Sequence, residues 1–364
     1  MHCDNSKELS IVVPMYCSGH FLLEATESIV KNSKYTHEII IVDDYSEDES
    51  LYTAKYLADK NESIRVVQNI YTKGVSGARN TGIKLSVGKY ICFLDSDLRV
   101  ETLKSSSDIF IVHGQLDLVN QDGYSLGIEI GKRGTITFDD CTGNPASFNT
   151  LMFKREIIHL LHFDEELTNG EDWLALAKLL RRGFKSHYVP HAKAAYRIHK
   201  SSVTSKDIVK HEQSLLNVIN WLCSESNEEE SDLNFRDGLK IDKIALLHDR
   251  LILLLAQVIF EGKQDTALDL LKDNDFINKV LEFEVNNKDI FKVQYARAFN
   301  ISIHSDSKID EIKRYNACRT LENVIKKIGN CKFTNVMQLC IEKEKKADMK
   351  LFLGNSFGFD NIKN

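Results

Sequence analysis

Apolar residues in the first hundred positions fall into short unbroken runs. Leu9, Ile11, Val12, Val13 and Met15 form the first, with Pro14 and Tyr16 closing it. Ile39, Ile40, Ile41 and Val42 form the second, which ends in Asp43 and Asp44. Residues 64–67 make a third, and Tyr90, Ile91, Cys92, Phe93 and Leu94 a fourth that runs straight into Asp95-Ser96-Asp97. Short runs rich in branched and aromatic side chains predict strands buried on both faces. Between them the period changes. Apolar residues at 21, 22, 25, 29 and 30 predict a helix over 21–32. Ser46 to Asp48 offer N-cap chemistry for a helix over 49–60. Gly74 to Gly82 read as a glycine-bearing loop entering a helix that ends near residue 86. Strand alternating with helix predicts a doubly wound α/β domain.

The middle of the chain is less regular. Strands are expected over 108–119 and 147–153, with a hairpin or loop over 123–134. A short helix follows over 154–161. Gly170-Glu171-Asp172 precedes an apolar-periodic helix over 173–182, stopped by Gly183. Two small strands are expected at 187–189 and 194–199. From about residue 205 long helical periodicities take over, with an acidic stretch over 225–232 as a linker or a solvated face. The expected division is therefore a domain over 1–205 and a helical accessory domain over 206–364. The tail from Gly354 is polar.

Composition narrows the class. The chain has 364 residues, 43% of them apolar, which suits globular domains. Formal net charge is −6, so binding to nucleic acid through bulk positive charge is not expected. The 8 cysteines show no C-x-x-C spacing and no zinc-like company of histidines. They fit a reducing, cytoplasmic setting. No signal-peptide pattern opens the chain. The greasiest stretch, 244–260, holds His248, Asp249, Arg250 and Gln257, which argues against a membrane span.

The candidate chemistry gathers where runs end. In open α/β sheets ligands bind beyond the carboxyl ends of the strands, and Asp95 and Asp97 stand at such an end. Two anions so close repel unless a cation or donor joins them. A divalent ion arriving with a diphosphate would do so; a solvated acidic turn is the plain alternative. Gly74 and Gly77 allow close backbone approach at a helix start, where free N–H groups favour phosphate. Arg79 adds a donor fork, or else a surface ion pair. Asn80 reads as a brace within that loop.

Four stretches together resemble the family-2 glycosyltransferases. They are Ser10-Ile11-Val12-Val13-Pro14-Met15-Tyr16; Glu38 through Ser46; Gly74 through Gly82, continuing to Gly88-Lys89-Tyr90 and the Asp95/Asp97 pair; and Gly170-Glu171-Asp172-Trp173 with Tyr196 through Thr204. The resemblance covers roughly the first 205 residues. Many members carry a third acidic residue after the pair, and here it is Leu98.

The resemblance implies a GT-A fold, a Rossmann-like nucleotide-diphospho-sugar transferase domain, ahead of the α-helical C-terminal region. It implies donor binding by Pro14, Tyr16, Asp43, Asp44, Gly77, Arg79, Asp95 and Ser96, and a Mn²⁺ or Mg²⁺ ion at Asp97 with His199 as a further ligand. Asp172 is the expected general base, with Glu171 and Trp173 on the acceptor side. Helix-dipole and core roles are the competing readings for those three. Asn144, Pro145, Asn149 and Phe153 are candidates for the acceptor wall.

The expected activity is inverting transfer of a hexosyl or N-acetylhexosaminyl group. The donor is a nucleotide sugar, UDP-linked by preference, and the acceptor a glycan or lipid-linked hydroxyl in surface polysaccharide synthesis. A sugar nucleotidyltransferase and a non-catalytic carbohydrate-binding protein on the same fold are the alternatives. Pro14 to His20 lack the glycine-rich, lysine-bearing signature of the first. Peripheral contact with the inner face of a membrane, and a homo-oligomer, stay open.

Overall fold

The computed structural model describes residues 7–32, 34–93, 102–120, 122–197 and 208–224. The chain divides into two compact units, Met1–Ile241 and Asp242–Asn364, and all described residues lie in the first. The expected helices beyond residue 224 and the acidic linker fall outside the described residues.

The parallel half of the sheet follows the apolar runs. It contains β1 (Leu9–Met15), β2 (His37–Asp43), β3 (Ile64–Gln68) and β4 (Tyr90–Cys92). Helices α1 (Gly19–Asn32), α2 (Ser50–Lys60) and α3 (Val75–Leu85) connect them. Ile39, Ile40, Ile41 and Val42 are all 0% exposed. Burying one such side chain contributes about 1.5–3 kcal/mol, whereas the whole strand-propensity scale spans about 1 kcal/mol. Burial on both faces therefore makes this segment a strand.

The second half is mixed. It contains β5 (Ile111–Val119), β6 (Ser125–Ile130), β7 (Leu151–Lys154) and β8 (Ser186–Arg197). The sheet order is β3-β2-β1-β4-β7-β5-β6, with β8 pairing β5. β7 runs antiparallel to both β4 and β5, so it joins the two halves. The two small strands expected near 187–189 and 194–199 are one strand. Pro190 looks like a break, but the chain passes through His191 at φ 68 and resumes pairing with β5 after a register shift. The expected short helix at 154–161 is the 3-10 segment Arg155–Leu160.

Two longer helices follow in the second half, α4 (Glu171–Arg181) and α5 (Ile208–Leu222). Gly170 opens α4 in a left-handed conformation, φ 79, and a Cβ there would lie 2.7 Å from Leu215 Cδ2. Only glycine fits that turn against α5. Ser214 Oγ accepts from the Thr168 N–H at 3.2 Å. At the far end buried Arg181 donates to the Ser224 carbonyl at 2.7 Å and stands 4.9 Å from the Trp221 ring centroid. The start of α4 is thereby fixed from behind by α5.

Candidate active site

The carboxyl end of β2 carries Asp43 and Asp44, and each side chain accepts two N–H donors. Asp43 Oδ1 accepts from the Ser46 N–H at 3.2 Å, and Oδ2 from Gln68 Nε2 at 3.1 Å. Asp44 Oδ1 accepts from Asn69 Nδ2 at 2.7 Å and from the Gly74 N–H at 3.0 Å. Asp43 is 2% exposed and Asp44 6%. The pair ties β2 to β3 and to the approach to α3. Pro14 is half-buried, and Tyr16 is exposed with the Lys73 ammonium 4.9 Å from its ring centroid.

The stretch expected as a glycine loop is mostly helix. Gly74 is the N-cap residue of α3 at φ 141, and Gly77 lies inside the first turns. A Cβ on Gly77 would meet the Thr72 carbonyl oxygen at 2.0 Å. The glycine thus lets the preceding loop fold onto the helix, a packing reason that the expectation of an open phosphate loop did not contain. Asn80 is a brace, though not within its own loop: its amide pairs with Phe163 in both directions, at 2.9 and 3.0 Å. Glu165 adds acceptors for the Thr72 N–H and for Asn80 Nδ2.

Arg79 does not present its fork as a surface group. It donates to Glu171 Oε1 at 2.7 Å, with side chains 13% and 10% exposed. Its guanidinium stands 5.0 Å from the Phe163 ring centroid and 5.8 Å from that of Phe148. Phe93 packs edge-on against the same rings, with centroids 5.5 and 5.1 Å away. Phe93 is the last described residue before the acidic pair. A continuous set of contacts therefore runs from the end of β4, through the phenylalanines and Arg79, to the start of α4.

There Asp172 is half-buried beside Glu171. Its Oδ1 accepts from the Trp173 N–H at 2.7 Å and its Oδ2 from Asn144 Nδ2 at 3.2 Å. Desolvation raises its pKa first and the Glu171 charge raises it further; Arg79 and the two hydrogen bonds pull it down. A carboxyl pushed toward neutrality in this way is suited to taking a proton.

Several expected positions are displaced. Trp173 is 1% exposed and belongs to the core, so it does not offer a stacking face to an acceptor. Glu171, 8% exposed, faces Arg79. Phe153 is 0% exposed, which removes it from the acceptor wall, whereas Asn144 reaches Asp172. Phe148 and Phe163 were missed, although both are aromatic residues near the named motifs. Arg197 is bound to Glu24 of α1 at 2.8 Å. Asp95, Ser96, Asp97 and His199 lie outside the described residues.

Among the described residues no three His, Cys, Asp or Glu side chains converge as metal ligands. The described carboxylates at the strand ends already accept N–H donors. The described residues alone do not make a metal centre.

The model of the Glycosyl transferase family 2 matches residues 10–104, the segment that runs from β1 through the acidic pair. This segment is similar to the family-2 glycosyltransferases. The chain is 28% identical over 223 residues to the succinoglycan biosynthesis protein ExoO of Rhizobium meliloti (strain 1021), covering 55% of this chain and 64% of that protein. It is 30% identical over 122 residues to the UDP-Glc:alpha-D-GlcNAc-diphosphoundecaprenol beta-1,3-glucosyltransferase WfgD of Escherichia coli, covering 31% of this chain and 47% of that one. The matched region thus spans less than two thirds of either relative. A crystal structure of S. aureus TarS 1-349 in complex with UDP-GlcNAc is similar at TM-score 0.47 and 17% identity, over 88% of this chain and 81% of that one. No helix among the described residues is long and apolar enough to cross a membrane.

Proposed function

We propose that this protein is an inverting glycosyltransferase of surface polysaccharide synthesis. It moves a sugar from a nucleotide-sugar donor, by preference UDP-linked, to a hydroxyl of a glycan or lipid-linked acceptor. The observation that carries the reading is the carboxyl of Asp172. It is raised by desolvation and by Glu171, and it sits at a helix start that contacts link back to the end of β4. The family-2 domain supplies the reaction class. The relatives' names supply the setting: one serves succinoglycan synthesis, and the other uses a UDP-sugar and a diphosphoundecaprenol acceptor.

In this reading Asp172 accepts the proton of the acceptor hydroxyl as its oxygen attacks the anomeric carbon. Asn144 and the Trp173 N–H hold the carboxylate oriented. Tyr16 and Pro14 lie beside the nucleoside, with Asp43 and Asp44 shaping the strand ends beneath it. The start of α3 offers N–H groups to the diphosphate. Asp95 and Ser96 complete the donor side. A Mn²⁺ or Mg²⁺ ion held by Asp97, with His199, would neutralise charge on the departing diphosphate. Residues 1–205 would form the catalytic domain and 206–364 a helical accessory region, whose first helix, α5, packs on the catalytic part. The protein would work in the cytoplasm, against the inner face of a membrane when the acceptor is lipid-linked.

The test is turnover of a panel of UDP-sugars by the full chain, with Mn²⁺, with Mg²⁺ and with a chelator. Release of UDP that needs the metal, and that Asp172→Asn abolishes, supports the reading. Pyrophosphate formation from a nucleoside triphosphate, or UDP release that Asp172→Asn leaves intact, overturns it.

A further inference from the structure

The ion pair between Arg79 and Glu171 is unusual in its surroundings. Its side chains are 13% and 10% exposed, whereas those of the Lys104–Glu8 pair are 38% and 28% exposed. Pairs withdrawn from water add little net stability, because desolvation offsets the attraction. Stability alone is therefore a weak reason for this one. Its placement suggests another. Arg79 belongs to α3, Glu171 is the first residue of α4, and Asp172 follows it directly. The rings of Phe148 and Phe163 hold the guanidinium from a second side.

We infer that Arg79 is a positioning residue: through Glu171 it fixes the first turn of α4 and balances the charge around the Asp172 carboxyl. The inference rests on the reading of Asp172 as the base. It assigns Arg79 a different role from the phosphate fork its sequence context implies. The charged groups acting on Asp172 are Glu171, from its own helix, and Arg79, from α3; Asn144, from the loop before β7, adds a neutral donor. The two charges oppose each other. Removing the arginine leaves Glu171 uncompensated and disfavours the ionised form of Asp172. Removing the glutamate leaves the arginine to favour it.

The experiment needs no substrate. The full chain is labelled with ¹³C-carboxyl aspartate, and Asp172→Asn identifies the resonance of Asp172. Arg79→Gln is expected to titrate about one unit above the unsubstituted protein, and Glu171→Gln about one unit below it. Arg79→Gln with Glu171→Gln should fall between them, and Arg79→Lys should stay near the unsubstituted value. A merely structural pair would not move the titration in opposite directions. Shifts in the same direction, or no shift in Glu171→Gln, overturn the inference. Should Arg79→Gln fail to fold, Glu171→Gln and Arg79→Lys decide it alone. Opposed shifts without turnover of any nucleotide sugar would keep the charge coupling and sink the transfer reading.

Discussion

Two adjacent acidic pairs mark the two halves of this sheet, and they differ in what surrounds them. Asp43-Asp44, at the end of β2, receives N–H donors from Ser46, Gln68, Asn69 and Gly74. Glu171-Asp172, at the start of α4, shares one arginine, one amide side chain and one backbone N–H. The first pair accepts four N–H donors on three of its oxygens, and its carboxylates brace three segments. The second is under-compensated, and one of its members is driven toward the protonated form. Neighbouring carboxylates are thus no sign of chemistry in themselves. The supply of donors decides whether they hold a fold together or stay available to a substrate.

The largest effect should come from the under-compensated pair. Asp172→Asn keeps the shape and removes the base, so transfer should fall about 10²–10⁴-fold in a UDP-release assay. Folding should respond in the opposite direction. Because the folded-state pKa of Asp172 is raised, the native form binds this proton more tightly than the unfolded chain. Wild-type stability therefore declines as pH rises from the ordinary value of 3.8 through the raised one. At neutral pH the asparagine variant should melt higher, and the gap should close as pH drops below 3.8. Equal melting temperatures at every pH would remove the claim of strain at this carboxyl.

The first pair should behave in the reverse manner. Asp44→Ala leaves the Gly74 N–H and one bond of Asn69 without an acceptor, at a cost of about 1–3 kcal/mol in urea unfolding. UDP binding should weaken only as far as the loop before α3 loosens. Unchanged stability with lost UDP binding would instead make Asp44 a ligand group, and the contrast between the pairs would disappear.

Much of the parallel half was legible because its signal is local. The expected runs over 9–15, 39–42 and 90–94 hold β1, β2 and β4, though β4 stops at Cys92, and the helical periods between them are α1, α2 and α3. The second half hides its logic in long separations. Arg79 and Glu171 lie 92 residues apart, and Asn144 and Asp172 28 apart, so no window of sequence contains either pair. A single chain shows residue types at such positions but not who meets whom. β8 shows the opposite failure. Residues 187–189 and 194–199 were expected as two strands, and pairing with β5 on both sides of His191 makes them one. Gly77 was legible as a glycine that permits close backbone approach, and the Thr72 carbonyl is the neighbour a Cβ there would meet.

The smallest effect separates support from supply at the second pair. Asn144 is exposed, and it donates to Asp172 Oδ2 at 3.2 Å, a long bond for a charged acceptor. It favours the ionised carboxylate only modestly. Asn144→Ala should leave the urea midpoint unchanged, because no buried group loses a partner. The acidic limb of the rate–pH profile should move upward by about half a unit, equivalent to about 0.7 kcal/mol. At pH values well above that limb the rate should recover, since the carboxylate is then ionised without help. A loss of rate that persists at high pH would mean that Asn144 touches the acceptor itself, and Asp172 would then be less isolated from donors than its contrast with Asp44 requires.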